Sequence, residues 1–584
     1  MSLVAYPPLP IFDLDTDPAR SFPFLLEFTK DLSLPHSFEN GRVVGSSPFA
    51  FREPGLWNYV DVDLDNLMFS ELGDLTASEQ YVEQPVSFDI EHYSLEGPLH
   101  EGEFLFPPFD STVSLDGAQT WKYDPLAMKA FEIVQAIERS AHSPKTDSPN
   151  ISECSTSTEM SCTNFFSPHQ LRKFLDTYWE RWYPNWPTIH RPLFDPLRTP
   201  SFLIAAMAIM GACHSQEPQE RANSKFWANV VEKFVFEELE QIEAETFKVD
   251  QRHTIQLLQA ACIMCIYQHW NGTKASKKRI RRQRFMTLVS VCRDVGISRA
   301  THRDYRFISQ ADFDWRSFVE TEEMIRTFIW IYMIDTAFVI FNNFPPRMVL
   351  GELRMDVASP ERCFQASSAE ECFLGIQWWL CKTQRKQAQT PSSLLDFIRA
   401  FCRDEIDASF TDIYAHEAYM NYFAVTSALH VLMFNMGNGI IDDIKQRLGP
   451  VRRGLKNWRA VWNRRLAIDR SNKGTIASFD ISIEPETEAC GSQDELNIVT
   501  RTDHELCHSE DWRRPGFWRH ASEYWLLCRV FLERMESTQK GLEAAENLSG
   551  QGSARSRVES KILARYDETD MEELHRFLLI CAGK

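Results

Sequence analysis

Three stretches hold residue types that could do chemistry. KASKKRIRRQR places Lys274, Lys277, Lys278, Arg279, Arg281, Arg282 and Arg284 within one short run. Such a cluster fits a nuclear localisation signal or a phosphate-contacting patch. It also fits a solvated first turn and loop between two helices. Helix stability does not explain it, because cations near a helix N-terminus oppose the macrodipole. Cys262-Ile-Met-Cys265 is the CxxC of the chain, set in AACIMCIY. Zinc would need a second ligand pair nearby, and none is present. The i, i+3 spacing on an apolar face is ordinary core use of thiols. His190, in Ile-His-Arg-Pro, could serve as a base, but its turn prolines favour a hydrogen-bonded corner residue.

Other catalytic patterns fail. The chain has no phosphate loop, dinucleotide fingerprint, GxSxG or HExxH. Asp442-Asp443-Ile444-Lys445-Gln446 lacks the third acid of a magnesium-binding cluster. No enzyme is expected. A binuclear zinc cluster needs six closely spaced thiolates, and a finger needs a CxxC-type pair followed by paired histidines. Neither pattern occurs, so no cofactor is expected in this chain. Zinc would enter only with a DNA-binding module upstream of Met1.

Charge is placed unevenly. The net charge is −20, yet residues 1–120 hold 21 Asp and Glu against 4 Lys and Arg. Within this arm Trp57, Tyr59, Leu64, Leu67, Met68, Phe69 and Leu72 interleave with Asp61, Asp63, Asp65, Glu71 and Asp74. Acids that keep aromatics exposed until a coactivator groove accepts them are activation-domain chemistry. The alternative is an acidic linker whose apolar residues dock on the body. The arm is expected to be mostly disordered, with short helices near 22–32 and 62–73.

The elements that position these residues read as helices. Residues 123–140 form an amphipathic helix, and 142–163 read as a Ser/Thr-rich linker, giving a 121–165 connector. From 166 to 584 an all-α body is expected, with disordered loops near 468–512 and 538–554. Ser167-Pro168-His169-Gln170 is a cap followed by Pro at the first helical position. Thr199-Pro200 repeats that start, and Pro345-Pro346 ends one helix and opens the next. Helices are predicted near 219–242, 253–270, 276–295, 317–342, 368–386, 391–405, 412–435, 440–466, 516–537 and 556–581. The helix at 451–466 carries Leu455, Trp458 and Trp462 on one side. It could bind an acidic surface, the arm included, or pack its tryptophans inward and solvate its arginines. The 14 cysteines are scattered and read as reduced intracellular thiols. No stretch reads as a signal peptide or a membrane span; the apolar run Phe202 to Cys213 is too short to cross a bilayer.

Residues 178–214, YWERWYPNWPTIHRPLFDPLRTPSFLIAAMAIMGACH, resemble the opening of the regulatory (middle homology) domain of fungal transcription factors. HTIQLLQAACIMCIY, Leu288 to Ile297, TEEMIRTFIWIYMIDTAFVIFNNFPPRM and GLKNWRAVW come after it in the order of that family. ARSFPFLLEFTKDLSLPHSFEN resembles the segment just beyond the zinc module in members with paired fingers. The resemblance makes His190, Arg191, Pro192, Arg326, Asp335, Pro345 and Pro346 structural positions. It implies a nuclear regulator of RNA polymerase II transcription. Expected partners are the transcription machinery or coregulators, a dimer with itself or a related factor, DNA directly or indirectly, and a small-molecule inducer, with no membrane. The alternative is an interaction protein that scaffolds or sequesters a related zinc-cluster factor without binding DNA.

Overall fold

The computed structural model describes residues 22–30, 34–38, 121, 124–142, 156–244, 250–383, 393–403, 406–437, 448–478, 516–548 and 571–581. All fall in one compact unit. Among them the fold is all-α; the sole β feature is an isolated bridge between Asp356 and Ser393. The expected helix near 62–73 lies outside the described residues.

Two short helices open the unit, α1 (Pro23–Phe28) and α2 (Leu34–Ser37). A first group comprises α3 (Ala127–His142), α4 (Thr156–Phe165), α5 (Pro168–Thr177), α6 (Ser201–Cys213), α7 (Pro218–Ala244), α8 (Gln251–Asn271), α9 (Lys274–Arg279) and α10 (Phe285–Val295). The long α11 (Trp315–Asn342) comes next. A second group holds α12 (Glu361–Phe364), α13 (Ala369–Lys382), α14 (Leu394–Phe401), α15 (Ala408–Tyr414), α16 (Tyr419–Gly437), α17 (Gly449–Ser478), α18 (Ala521–Leu548) and α19 (Met571–Cys581).

α6 is the axis of the first group and packs on α5, α7 and α8. Every residue from Phe202 to Cys213 is buried. Burying each of its large apolar side chains contributes roughly 1.5–3 kcal/mol. Its small residues let neighbours come close: a Cβ on Gly211 would lie 1.9 Å from the Phe174 carbonyl oxygen of α5. In the second group α16 touches α17 and α18. α11 joins the groups by contacting both α8 and α16. It is long and apolar enough to cross a membrane, but 89% of its most apolar window is buried among these helices.

Several starts agree with the predicted chemistry. Ser167 caps α5 by accepting from the Gln170 amide at 3.4 Å, with Pro168 next. Others differ. Thr199 does not cap α6; its hydroxyl donates to the Asp195 carbonyl at 2.7 Å, and the helix starts after Pro200. The expected linker is helical from Thr156, because Cys162 and Phe165 bury themselves, with the Phe165 and Phe174 rings 5.0 Å apart. Pro345-Pro346 opens no helix. α11 ends at Asn342, Asn343 turns left-handed at φ 49°, and extended chain comes after it. α17 and α18 run to Ser478 and Leu548, past the predicted loop starts at 468 and 538. The arm is not wholly detached: Phe22, Leu25, Phe28 and Leu34 are buried in the unit's core.

Candidate functional site

The basic run is one continuous helix with a change of pitch inside it. α9 leads into a π-helical turn, Ile280–Arg284, and then α10. Residues five apart on an α-helix diverge by about 140°. The wider turn closes i to i+5, as the Phe285 amide does on the Ile280 carbonyl, so Arg279 and Arg284 share a face. Both reach Glu232 of α7, which is fully buried: Arg279 at 2.6 Å and Arg284 at 3.2 Å. Arg284 also meets Glu240 at 3.0 Å and lies over the Phe236 ring. Arg347 donates to the Arg281 carbonyl. Lys274, Lys278 and Arg282 are exposed, while Lys277 and Arg281 are half-buried. The run is thus divided into cations that brace α7 and cations that face outward.

The proline corner and α11 form a buried charge network. Arg326 is fully buried. Its Nε donates to Glu322 at 2.7 Å, Nη2 to the Ser359 carbonyl at 2.7 Å, and Nη1 to the Pro187 carbonyl and to Glu361 at 3.0 Å. Burial opposes its charge, but Glu361 and Glu322 outweigh this and raise its pKa. Glu322 accepts further bonds from the Ser359 amide and from His302. Next to it, Glu323 accepts from the His190 amide at 2.7 Å, and burial pushes its carboxyl up to about 7. His190 Nδ1 caps the turn Arg191–Leu193 by accepting from the Leu193 amide, Pro192 sits inside that turn, and Arg191 covers the Trp179 ring.

Asp335 does not pair with Arg326. It accepts from the Arg347 and Met348 amides at 2.7 and 2.8 Å and from the Arg347 guanidinium at 3.3 Å. Burial pushes its carboxyl up to about 6 despite these donors. Pro345 and Pro346 fix the turn that brings those amides back onto α11. Cys262 and Cys265 are fully buried, and burial raises both thiols, which keeps them protonated. Among the described residues no three His, Cys, Asp or Glu side chains are grouped to hold a metal. On α17, Leu455, Trp458 and Trp462 face inward; the two indoles stack at 4.8 Å, and Trp458 Nε1 donates to the Tyr422 carbonyl.

An aromatic cavity of about 40 Å³ lies where α1, α8, α11, α16 and α18 meet the segment 178–186. Trp182, Trp270, Trp330, Phe341, Phe423 and Phe517 line it, with Phe28 and Phe38 across the top. Trp182 arrives on a second π-helical turn, Tyr178–Trp182. Gly516 permits the approach of Phe517, since a Cβ there would lie 2.0 Å from the Pro184 carbonyl oxygen. Composition did not point to this cavity, because its lining comes from six distant segments. One network partner was closer to legible: Glu322 stands four residues before Arg326. The arm residues Trp57, Tyr59, Leu64, Leu67, Met68, Phe69 and Leu72 lie outside the described residues.

The fungal specific transcription factor domain matches residues 175–398, which contain the proline corner, the basic helix and the charge network. The transcription factor verF of Penicillium polonicum is 33% identical over 570 residues, covering 96% of this chain and 70% of that protein. No solved structure matches the chain. Identity sustained from the arm through the last helices, with the domain in its expected place, makes this chain a member of the fungal transcription factor family.

Proposed function

We propose that the chain is a pathway- or gene-cluster-specific regulator of RNA polymerase II transcription that works in the fungal nucleus through its helical body. The observation that carries this reading is the similarity to a named transcription factor across nearly the whole chain. The body supplies rigid positioning, with its charges turned inward on the Arg326 network and its aromatics on the cavity. The acidic arm supplies the coactivator contact, through Trp57, Tyr59, Leu64, Leu67, Met68, Phe69 and Leu72. The full chain, tethered to a heterologous DNA-binding domain, is expected to change output from a reporter. Deleting 50–110 is expected to lower that output; unchanged output removes the arm from the reading. Unaltered transcripts throughout a strain lacking the gene, under several growth conditions, would remove the regulator reading itself.

Nuclear entry rests on the outward cations Lys274, Lys278 and Arg282. Replacing these three with Ala leaves Arg279 and Arg284 on Glu232, so the helix keeps its brace. A fluorescent fusion of the full chain is expected to move from nucleus to cytoplasm. A triple variant that stays nuclear, as the parent chain does, rules out this import patch.

A further inference from the structure

The chain carries a net charge of −20, yet residues 274–306 hold eleven Lys and Arg against two Asp and Glu. The fold gives this local excess a shape. Lys274, Lys278 and Arg282 are exposed and stand four residues apart on the continuous helix made by α9, the π-helical turn and α10. In a plain α-helix such neighbours drift by about 40° per step. The wider π-helical turn reduces that drift between Lys278 and Arg282, so the three cations lie nearly in line. At about 1.5 Å per residue the row is roughly 12 Å long.

The row is pinned from beneath. Glu232 and Glu240 of α7 are met by Arg279 and Arg284 on the inner side of the helix. Asn229 of α7 ties down its start, accepting from Ser276 at 3.3 Å and from Arg279 at 3.2 Å. Lys225, one turn earlier on α7, adds an exposed cation on the neighbouring helix. Of the large apolar residues in 274–288, Ile280, Phe285 and Leu288 are buried and Met286 alone is exposed. A helix that binds a bilayer presents a whole apolar face. This one presents cations.

We propose that the row Lys274, Lys278 and Arg282 is a contact surface for the phosphate backbone of duplex DNA. Each strand of a duplex carries one negative charge per about 3.4 Å of axis, so a row of roughly 12 Å faces about three to four phosphates. A helix fixed before contact loses little freedom on binding. Lysines act there as point charges, and phosphates carry no base identity, so the contact is independent of sequence. The row gives the helical body a grip on DNA of its own. This surface stands on charge and geometry, apart from the regulator reading, and import through the same cations does not preclude it.

The test uses the purified full chain and a fluorescent duplex of about 20 bp, followed by anisotropy between about 50 and 200 mM salt. Binding is expected at the low end, equal for two duplexes of unrelated sequence, and weakening steeply as salt rises. The triple variant Lys274→Ala, Lys278→Ala, Arg282→Ala is expected to bind roughly tenfold or more weakly, with the slope of log K against log salt reduced by about 2–3. Lys278→Ala alone should reduce that slope by about 1. Thermal unfolding of the triple variant is expected to match wild type, because Arg279 and Arg284 keep Glu232. Lys456→Ala removes an exposed cation of α17 and should leave binding unchanged. The proposal falls if the full chain does not bind the duplex, if the triple variant binds as well as wild type, or if Lys456→Ala loses as much. Binding to anionic lipid vesicles but not to the duplex would make the row a membrane contact and overturn it. A preference above about tenfold between the two duplexes overturns the backbone role. Import fails separately: a triple variant that loses duplex binding yet stays nuclear removes the import patch and leaves this surface standing.

Discussion

The charge network on α11 and the aromatic cavity beside it treat buried polar groups in opposite ways. Arg326 directs its guanidinium to Glu322, Glu361 and two backbone carbonyls, and Glu322 is matched in turn by Ser359 and His302. A few residues along the same helix, Trp330 leaves its N–H without an acceptor, as do Trp182 and Trp270. Indoles away from the cavity share this trait: Trp186, Trp227, Trp315 and Trp518 also bury Nε1 groups with no acceptor. The network is held by charge-assisted bonds, whereas the aromatic region is held by ring packing, with indole donors left over.

The largest expected effect tests the scaffold side. Arg326→Ala leaves Glu322 buried with no guanidinium and opens the corner at Pro187 and Ser359. Removing one partner of a buried ion pair costs about 3–5 kcal/mol. Urea denaturation should show a fall of that order. A loss below about 1 kcal/mol, the range of surface pairs, would mean the network is not what holds the corner.

Beside that network, a buried acid makes stability depend on pH. Glu323 has its folded pKa raised from the ordinary 4.5 to about 7 by burial. Between those values the folded chain holds more protons than the unfolded one. Its contribution is therefore present at low pH and lost as pH rises from about 4.5 to about 7. Asp335, at about 6, has the same sign over a lower window. His214 and His430, pushed down to about 4 by burial, have the opposite sign. Those groups are common to wild type and Glu323→Gln, so the difference between the two isolates Glu323. Wild type should lose stability relative to Glu323→Gln between about pH 5 and pH 7.5, by up to roughly 3 kcal/mol. Parallel urea midpoints at both pH values would show that Glu323 is not protonated in the fold.

Matched tryptophans sharpen the comparison further. Trp458→Phe removes a donor to the Tyr422 carbonyl, which keeps its helical partner within α16. Trp330→Phe removes a donor that had no acceptor. Both lose similar volume, so the difference between them reports the hydrogen bond. Trp458→Phe should cost about 0.5–1.5 kcal/mol more than Trp330→Phe, the net worth of one neutral hydrogen bond. Equal thermal shifts would mean that Trp330 does have a partner in solution.

How much of this was legible depended on how local the cause was. The all-α class, the Ser167 cap and the inward turn of Trp458 and Trp462 come from spacing within one segment. His190 as a turn cap could be read from its prolines. The partners of Asp335 could not, because Arg347 and Met348 return to it around a left-handed turn at Asn343. The docking of α1 was hidden for a similar reason: the partners of Leu25 and Thr29 lie hundreds of residues away, at Glu523 and His575. Charge density misled in one place. Seven cations in a row read as one surface, yet the π-helical turn rotates Arg279 and Arg284 onto a buried acid.

That rotation gives the smallest prediction and the finest contrast. Arg284→Ala removes an ion pair to Glu232, which is fully buried, and uncovers the Phe236 ring; Arg279 remains as the second partner. The retained partner limits the loss, and about 1–2 kcal/mol is expected, near the low end for hydrogen bonds to charged groups. Lys278→Ala removes an exposed cation from the neighbouring turn, and its effect should stay within about 0.5 kcal/mol. Thermal unfolding of the two variants side by side separates bracing from surface charge. Similar losses in both would mean that the pitch change does not divide the run, and that its cations act as one solvated face.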